Sequence, residues 1–369
     1  MRIGILTVPF NNNYGGILQA FALKKVLIDM GHEVIFINRR RNRIKIPLIK
    51  YLILFPYYHI KEKRNKKLDN YLSQNTNIFK QKYLAPITKE YFTKKQLKEC
   101  LNYNFDAIVV GSDQVWRYKY AKDSVDDFFC NFLDKKSMLH IAYAASFGTD
   151  EQEYPSDKLE ICSKLLKEFS MISVREQDGK KLLINYFGVN EDQVNVVLDP
   201  TMLLSVDTYK DLFKDIETPK EKYVFTYILD KNQAKQSYID NFCKEKKLNE
   251  YSISAQTGNI NELKPIEPVE LWLSRIYHAE YVITDSFHGT VFAILFNKPF
   301  FVFGNKTRGT SRFNSLLNTF NLANHYSESF SSINIDSYFD WGQVNDILYK
   351  MQIISKNILF INSPFNILS

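Results

Sequence analysis

Near its start the chain carries a largely apolar stretch, "RIGILTV", that reads as a buried strand. It is followed by Ile17–Met30, where apolar positions recur at helical spacing until Gly31 breaks the pattern. A second apolar run, "EVIFIN", comes next. Strands covered on both faces lack the polar alternation of half-exposed ones, so runs of this kind predict a parallel sheet between helices. The pattern resumes after residue 100 with "FDAIVVGSD", "LHIAYAASFG", "MISVRE", a helix over Asp178–Tyr186, and "VNVVLDP".

A polar connection at Ser205–Lys222 precedes a restart. "KYVFTYIL", a helix over Asn232–Lys247, "EYSISA", a helix over Pro268–His278, "EYVITD", a short helix from Thr290 and "PFFVFG" make a second set. The expected architecture is α/β, with two doubly wound, Rossmann-like domains facing a cleft. The first spans 1–205 with a basic helical insertion at 39–100. The second spans 206–369 and ends in helices, chiefly "QVNDILYKMQIISKNILFI". With 369 residues, 45% of them hydrophobic, the chain is long enough for two such cores.

Charge sharpens this picture at one place. The net charge is +7, yet Arg39–Lys98 holds 17 basic residues against three acidic ones, a net +14 that leaves −7 elsewhere. Within it, "RRRNRIKIPLIKYLILFPYYHIKEKRNKK" interleaves cations with apolar residues. An anionic membrane face, a lipid pyrophosphate or nucleic acid matches that charge, and a solvated helical insertion is the alternative. Ile3–Val8 is too short for a secretory signal, and no apolar run approaches the roughly 18 residues of a spanning helix. Cys100, Cys130, Cys162 and Cys243 form no C-x-x-C pair and have no histidine at metal-ligand spacing. The expectation is a cytoplasmic protein without metal or cofactor, peripheral at the inner membrane face if the basic segment reaches it.

Ligands of open parallel sheets bind beyond the carboxyl ends of the strands. Asn13, Tyr14, Gly15 and Gly16 follow the first strand, Ser112, Asp113 and Trp116 lie in "GSDQVW", and Ser146 lies in "SFGT". Arg175 ends "SVR", Ser286, His288 and Gly289 lie in "TDSFHGT", and Lys306, Arg308 and Arg312 in "GNKTRGTSRF". Gly15 and Gly16 would let backbone approach a ligand at a helix start, whose free N–H groups favour anions; a tight turn holding nothing is the alternative. The third glycine of a dinucleotide fingerprint and the Gly-Lys-Ser/Thr of a phosphate loop are missing, which disfavours NAD and ATP.

His288, between a strand and a helix, is placed to act as a general acid once a dianion binds, or else to cap the helix. The Arg175 guanidinium can grip a carboxylate or phosphate through two hydrogen bonds, or pair with Glu176 or Asp199. Lys306, Arg308 and Arg312 form a cationic loop suited to oxyanions. Trp116 offers a ring to a sugar face, or belongs to the core.

Taken in order, "NYGGILQAFAL", "VVGSDQVW", "YAASFG", "SVRE", "VVLDPTMLL" and "TDSFHGTVFAILFNKPFFVF" resemble the polysaccharide pyruvyl transferases over most of the chain. The resemblance implies a GT-B-like fold with its site between the domains. It implies transfer of a pyruvyl unit from phosphoenolpyruvate to sugar hydroxyls as a cyclic ketal, with no metal clearly required. The acceptor would be a galactose-type saccharide, lipid-linked, bound for a capsule or exopolysaccharide, and nucleic acid is not among the expected partners. It also implies that Arg175 and His288 attend the donor. Many members carry Ser/Thr-x-Arg-Leu-His-Gly, whereas Asp285-Ser286-Phe287-His288-Gly289 stands here, so Ser286 fills the arginine position and Arg308 or Arg312 is expected to replace that cation.

Two rivals remain at this level. A sugar-nucleotide glycosyltransferase of the same fold would want an acidic ribose contact, for which Glu267 and Glu270 are candidates. A non-catalytic carbohydrate-binding protein would need few cations. The catalytic reading requires Arg175 and His288 to face one another across a shared, positively charged gap.

Overall fold

A computed structural model describes residues 1–40, 67–133, 138–253, 264–304, 309–328 and 338–361. Residues 41–66, the heart of the basic insertion, lie outside these. The front sheet is built from β1 (Arg2–Leu6), β2 (Glu33–Phe36), β3 (Ala107–Asp113), β4 (Leu139–Ala145), β5 (Met171–Val174) and β6 (Val194–Val196). Its order is β2-β1-β3-β4-β5-β6, and every pairing is parallel. The apolar runs become strands buried on both faces; all seven residues of β3 are buried.

The back sheet is built from β7 (Tyr223–Tyr227), β8 (Asn249–Ser252), β9 (Tyr281–Thr284), β10 (Phe300–Phe303) and β11 (Tyr326–Ser327), in the order β11-β10-β9-β7-β8 and again all parallel. Each sheet therefore carries its second strand at an edge, the first beside it, and then the third, fourth and fifth. Each has a switch point between its first and third strands, where chain direction across the sheet reverses and a crevice opens.

The helix after β1 differs from its expected form. It runs over Tyr14–Asp29, three residues earlier than the apolar spacing indicated, and thirteen of its sixteen residues are buried. Other segments cover the face an amphipathic helix would give to water: Phe21 packs on Phe79 and Tyr83, Lys24 Nζ donates to Tyr83 O, and the turn Pro200–Leu203 and the second half of the chain close over the rest. Tyr14 stacks on Trp272 at 5.3 Å between ring centroids and donates its hydroxyl hydrogen bond to Glu267 O at 2.9 Å. Apolar residues of this helix and of helix Phe287–Leu295 belong to one continuous core.

The polar stretch after Ser205 also holds a helix, Val206–Phe213, capped by Ser205 and buried through Tyr209 and Phe213. The last helix, Trp341–Ile361, returns to the front half: Ser355 Oγ accepts from Leu198 N at 3.0 Å, and Gln352 Nε2 donates to Met202 O at 2.6 Å. Among the described residues, no helix is long and apolar enough to cross a membrane.

Candidate active site

Loops at the carboxyl ends of the two sheets meet around one carboxylate. Asp199, just after β6, caps the short turn Pro200–Leu203; its Oδ1 accepts from Thr201 N at 3.0 Å and Thr201 Oγ1 at 2.7 Å. Oδ2 accepts from Arg175 Nη1 at 2.5 Å and lies 3.6 Å from His288 Nε2. Arg175 also reaches the end of β3, where Asp113 Oδ1 accepts from Nη2 at 3.2 Å. Phe287 supplies an aromatic surface for two guanidiniums, with Arg175 Cζ 4.5 Å and Arg312 Cζ 5.2 Å from its centroid.

Electrostatics in this buried cluster follow from crowding. Burial alone would raise the carboxyl of Asp199, but His288 and Arg175 beside it hold it far below the usual carboxylate range. Burial likewise works against Asp113, and Arg175, His288 and Arg312 together keep it below its ordinary value. Burial opposes the charge of Arg175, which Asp199, Asp113 and Glu176 more than restore. Arg312 is the exception: burial, then repulsion by Arg175, pushes it down to about 10. The expected positively charged gap is thus a buried cluster of mixed sign, with Arg175 in the ion pair considered as its alternative role.

Several expected site residues have other duties. Asn13 caps the first helix, its Oδ1 accepting from Gly15 N at 3.0 Å and Gly16 N at 3.5 Å, so the amides offered to an anion are already engaged. Gly15 makes room for protein rather than for ligand, because a Cβ there would stand 2.0 Å from His288 Nδ1. Tyr14 is buried against Trp272, as described. Ser112 is committed on every side: its N–H donates to Gln19 Oε1, its Oγ to Ala144 O, and its carbonyl accepts from Thr7.

Trp116 is a core residue, wholly buried, stacked on Phe129 at 5.0 Å and donating to Phe128 O. Ser146 Oγ donates to Glu176 Oε1, which also accepts from Phe147 N and Gly148 N. Ser286 takes the capping role considered for His288, its Oγ accepting from Gly289 N at 3.3 Å. Gly289 is there for packing, since a Cβ would meet Thr284 Oγ1 at 2.6 Å. Lys306 and Arg308 lie outside the described residues.

Of the expected residues, the structure therefore brings together Arg175, His288, Arg312 and Asp113. It adds Asp199 and Phe287. Asp-Pro after a strand reads as a turn cap, and nothing local says that its second oxygen will meet two cations. At the back sheet's switch point the protein bridges itself: Asp285 accepts from Leu229 N, Asp230 N and Lys235 Nζ at 2.6, 3.0 and 2.7 Å. Among the described residues, no three His, Cys, Asp or Glu side chains are grouped to hold a metal.

Two parallel sheets of matching order, joined through such a cluster, define a GT-B fold of the glycosyltransferase and epimerase kind. UDP-GlcNAc 2-epimerase from Neisseria meningitidis bound to UDP-GlcNAc aligns with a TM-score of 0.50 at 14% identity, over 97% of this chain and 98% of that one. The S. aureus MnaA–UDP co-structure aligns at 0.52 and 11%, over 97% and 88%. At such identities the likeness is one of fold. A comparison with curated protein sequences finds no match. The chain belongs to the polysaccharide pyruvyl transferase family, whose model matches residues 13–307.

Proposed function

We propose that the protein transfers a pyruvyl unit from phosphoenolpyruvate to two hydroxyls of a saccharide, closing a cyclic ketal on a galactose-type residue of a surface-polysaccharide precursor. The family supplies the transferase class. The observation that carries the donor is the sharing of Asp199 Oδ2 by Arg175 and His288, which come from different sheets. Among the described residues, buried Arg175 Nε and Glu176 Oε2 have no hydrogen-bond partner. Unpartnered polar atoms in a buried cluster suit contacts that a ligand completes.

In this reading Arg175 and Arg312 hold the anionic donor, and the His288 imidazolium, with Asp199 as counter-ion, gives its proton to the enol methylene. Cationic character develops at the ketal carbon, and a saccharide hydroxyl bonds to it. A second hydroxyl closes the ring as the carbon–oxygen bond to phosphate breaks, its electron pair leaving on the phosphate. Overall, the two hydroxyl protons are balanced by one on the new methyl group and one on phosphate.

The test is incubation with phosphoenolpyruvate and a panel of galactosides, glucosides and mannosides, following phosphate release and product mass. A ketal product with stoichiometric phosphate is expected; turnover that requires a nucleotide sugar instead would overturn the reading. The basic segment suits an anionic membrane and a lipid-linked acceptor. Flotation with anionic liposomes should be lost when Arg41, Arg43, Lys45 and Lys50 are replaced by Gln, and undiminished flotation would remove this role.

A further inference from the structure

A cavity of about 530 Å³ lies at the switch point of the front sheet, among the loops that follow β1, β2 and β3. That volume falls within the roughly 300–1,000 Å³ of small-molecule sites. Phe10, Phe92 and Tyr120 give it aromatic walls, and Asn11 and Ser124 add polar groups. Such a mixture suits a sugar ring, which presents apolar C–H faces and a polar edge.

Asp113 is the one carboxylate among the described lining residues. Its backbone takes the left-handed conformation, φ 69°, and its Oδ1 is tied to Arg175. Oδ2 lies 3.8 Å from where a Cβ on Gly16 would be, and Gly16 also lines the cavity. The neighbouring Gly15 lies against His288. One turn of helix thus separates the cavity from the histidine, with Asp113 and Arg175 linking the two.

We propose that this cavity binds the acceptor saccharide and that Asp113 Oδ2 takes the proton of the attacking hydroxyl. The inference rests on the phosphoenolpyruvate reading above and names where its second substrate sits. As the hydroxyl oxygen bonds to the ketal carbon, its proton passes to Asp113, while the enol π-pair takes the proton of His288. The hydroxyl becomes acidic as that bond forms, so a carboxylate kept ionised by Arg175, His288 and Arg312 is a sufficient base. Asp199 and Glu176 meet the same Arg175 charge.

Two variants test the two halves. Ser124→Trp fills the cavity from a partly exposed position away from the ion cluster. It should raise the acceptor KM by about tenfold or more and abolish protection of the protein against heating by methyl galactosides, glucosides or mannosides. Phosphoenolpyruvate protection should stay intact. Asp113→Asn retains an oxygen for Arg175. It should keep phosphoenolpyruvate protection and acceptor KM within about threefold while kcat falls about 100-fold.

Unchanged saccharide protection and KM in Ser124→Trp would overturn the cavity assignment, as would a wild type protected by none of the sugars. Asp113→Asn turning over within about fivefold of wild type, or losing phosphoenolpyruvate protection, would overturn the base. A wild type protected by a saccharide that Ser124→Trp no longer binds, yet releasing no phosphate from phosphoenolpyruvate, supports the cavity and refutes the donor reading instead.

Discussion

Gly15 and His288 are pressed together from opposite halves of the chain: a Cβ on Gly15 would stand 2.0 Å from His288 Nδ1. The neighbouring Gly16 has its nearest atom at 3.8 Å, an ordinary contact. Gly15→Ala should therefore displace the imidazole from Asp199, reduce kcat and cost about 1–3 kcal/mol of stability. Gly16→Ala should stay within about 0.5 kcal/mol of wild type. Denaturant titration and turnover of both variants check this; equal behaviour would mean that the close approach has no functional weight.

His288→Ala removes the proposed acid. Turnover should fall about 100-fold or more while phosphoenolpyruvate still protects against heating. Near-normal turnover would eliminate His288 as the proton donor.

Asp199→Ala leaves Arg175 buried with only Asp113 directly against it, and removal of one partner from a buried pair costs about 3–5 kcal/mol. The carboxyl of Asp199 is depressed in the folded protein, so its stabilisation is fully present above the unfolded value of about 3.9 and fades as pH falls below it. The gap between wild type and variant should be large at pH 7 and smaller at pH 3, as read by urea denaturation. A gap independent of pH would contradict the charge argument.

His325 stacks on Phe339 with ring centroids 3.8 Å apart, and burial pushes its imidazole down to about 4. A depressed histidine contributes stability that is complete above its unfolded value of about 6.5 and declines as pH drops toward 4. The melting temperature should fall across that window, and His325→Phe should flatten this part of the profile. An unaltered slope in the variant would assign the acid sensitivity elsewhere.

Asp285 and Lys235 form a buried pair at the back sheet's switch point. Asp285→Ala takes the carboxylate from the ammonium, which keeps its bond to Asp230 O, and strands two backbone N–H donors, at a cost of about 3–5 kcal/mol. Denaturation measures it, and a loss under about 1 kcal/mol would show that water readily replaces the carboxylate.

Much of this was legible in residue order. The longer apolar runs are the inner strands, because a strand covered on both faces has no polar position to spare, whereas the edge strand β8 is largely exposed. Helix boundaries were less so: Ile17 opens the apolar spacing, but Asn13 sets the true start by capping, and two glycines hide the first turn. The sidedness of that helix was misleading, since its outer face is buried by segments distant in sequence, Phe79 and Tyr83 as well as Trp272.

The functional positions divide in the same way. Arg175, His288 and Asp113 stand where a strand ends, and position relative to a strand can be read from a local pattern. Asn13, Ser112, Ser146 and Ser286 stand there equally well, yet each is absorbed into caps and loop hydrogen bonds. Trp116 is absorbed into the core. The chain alone determined two sets of parallel strands, their family motifs and the sheet edges at which chemistry gathers, because these depend on neighbours in sequence. That Asp199 would serve both Arg175 and His288, and that Gly15 would shelter the histidine, was decided only by packing one sheet against the other. A carboxylate oxygen left over from a turn has no assigned partner until distant segments are brought within a few ångströms of it.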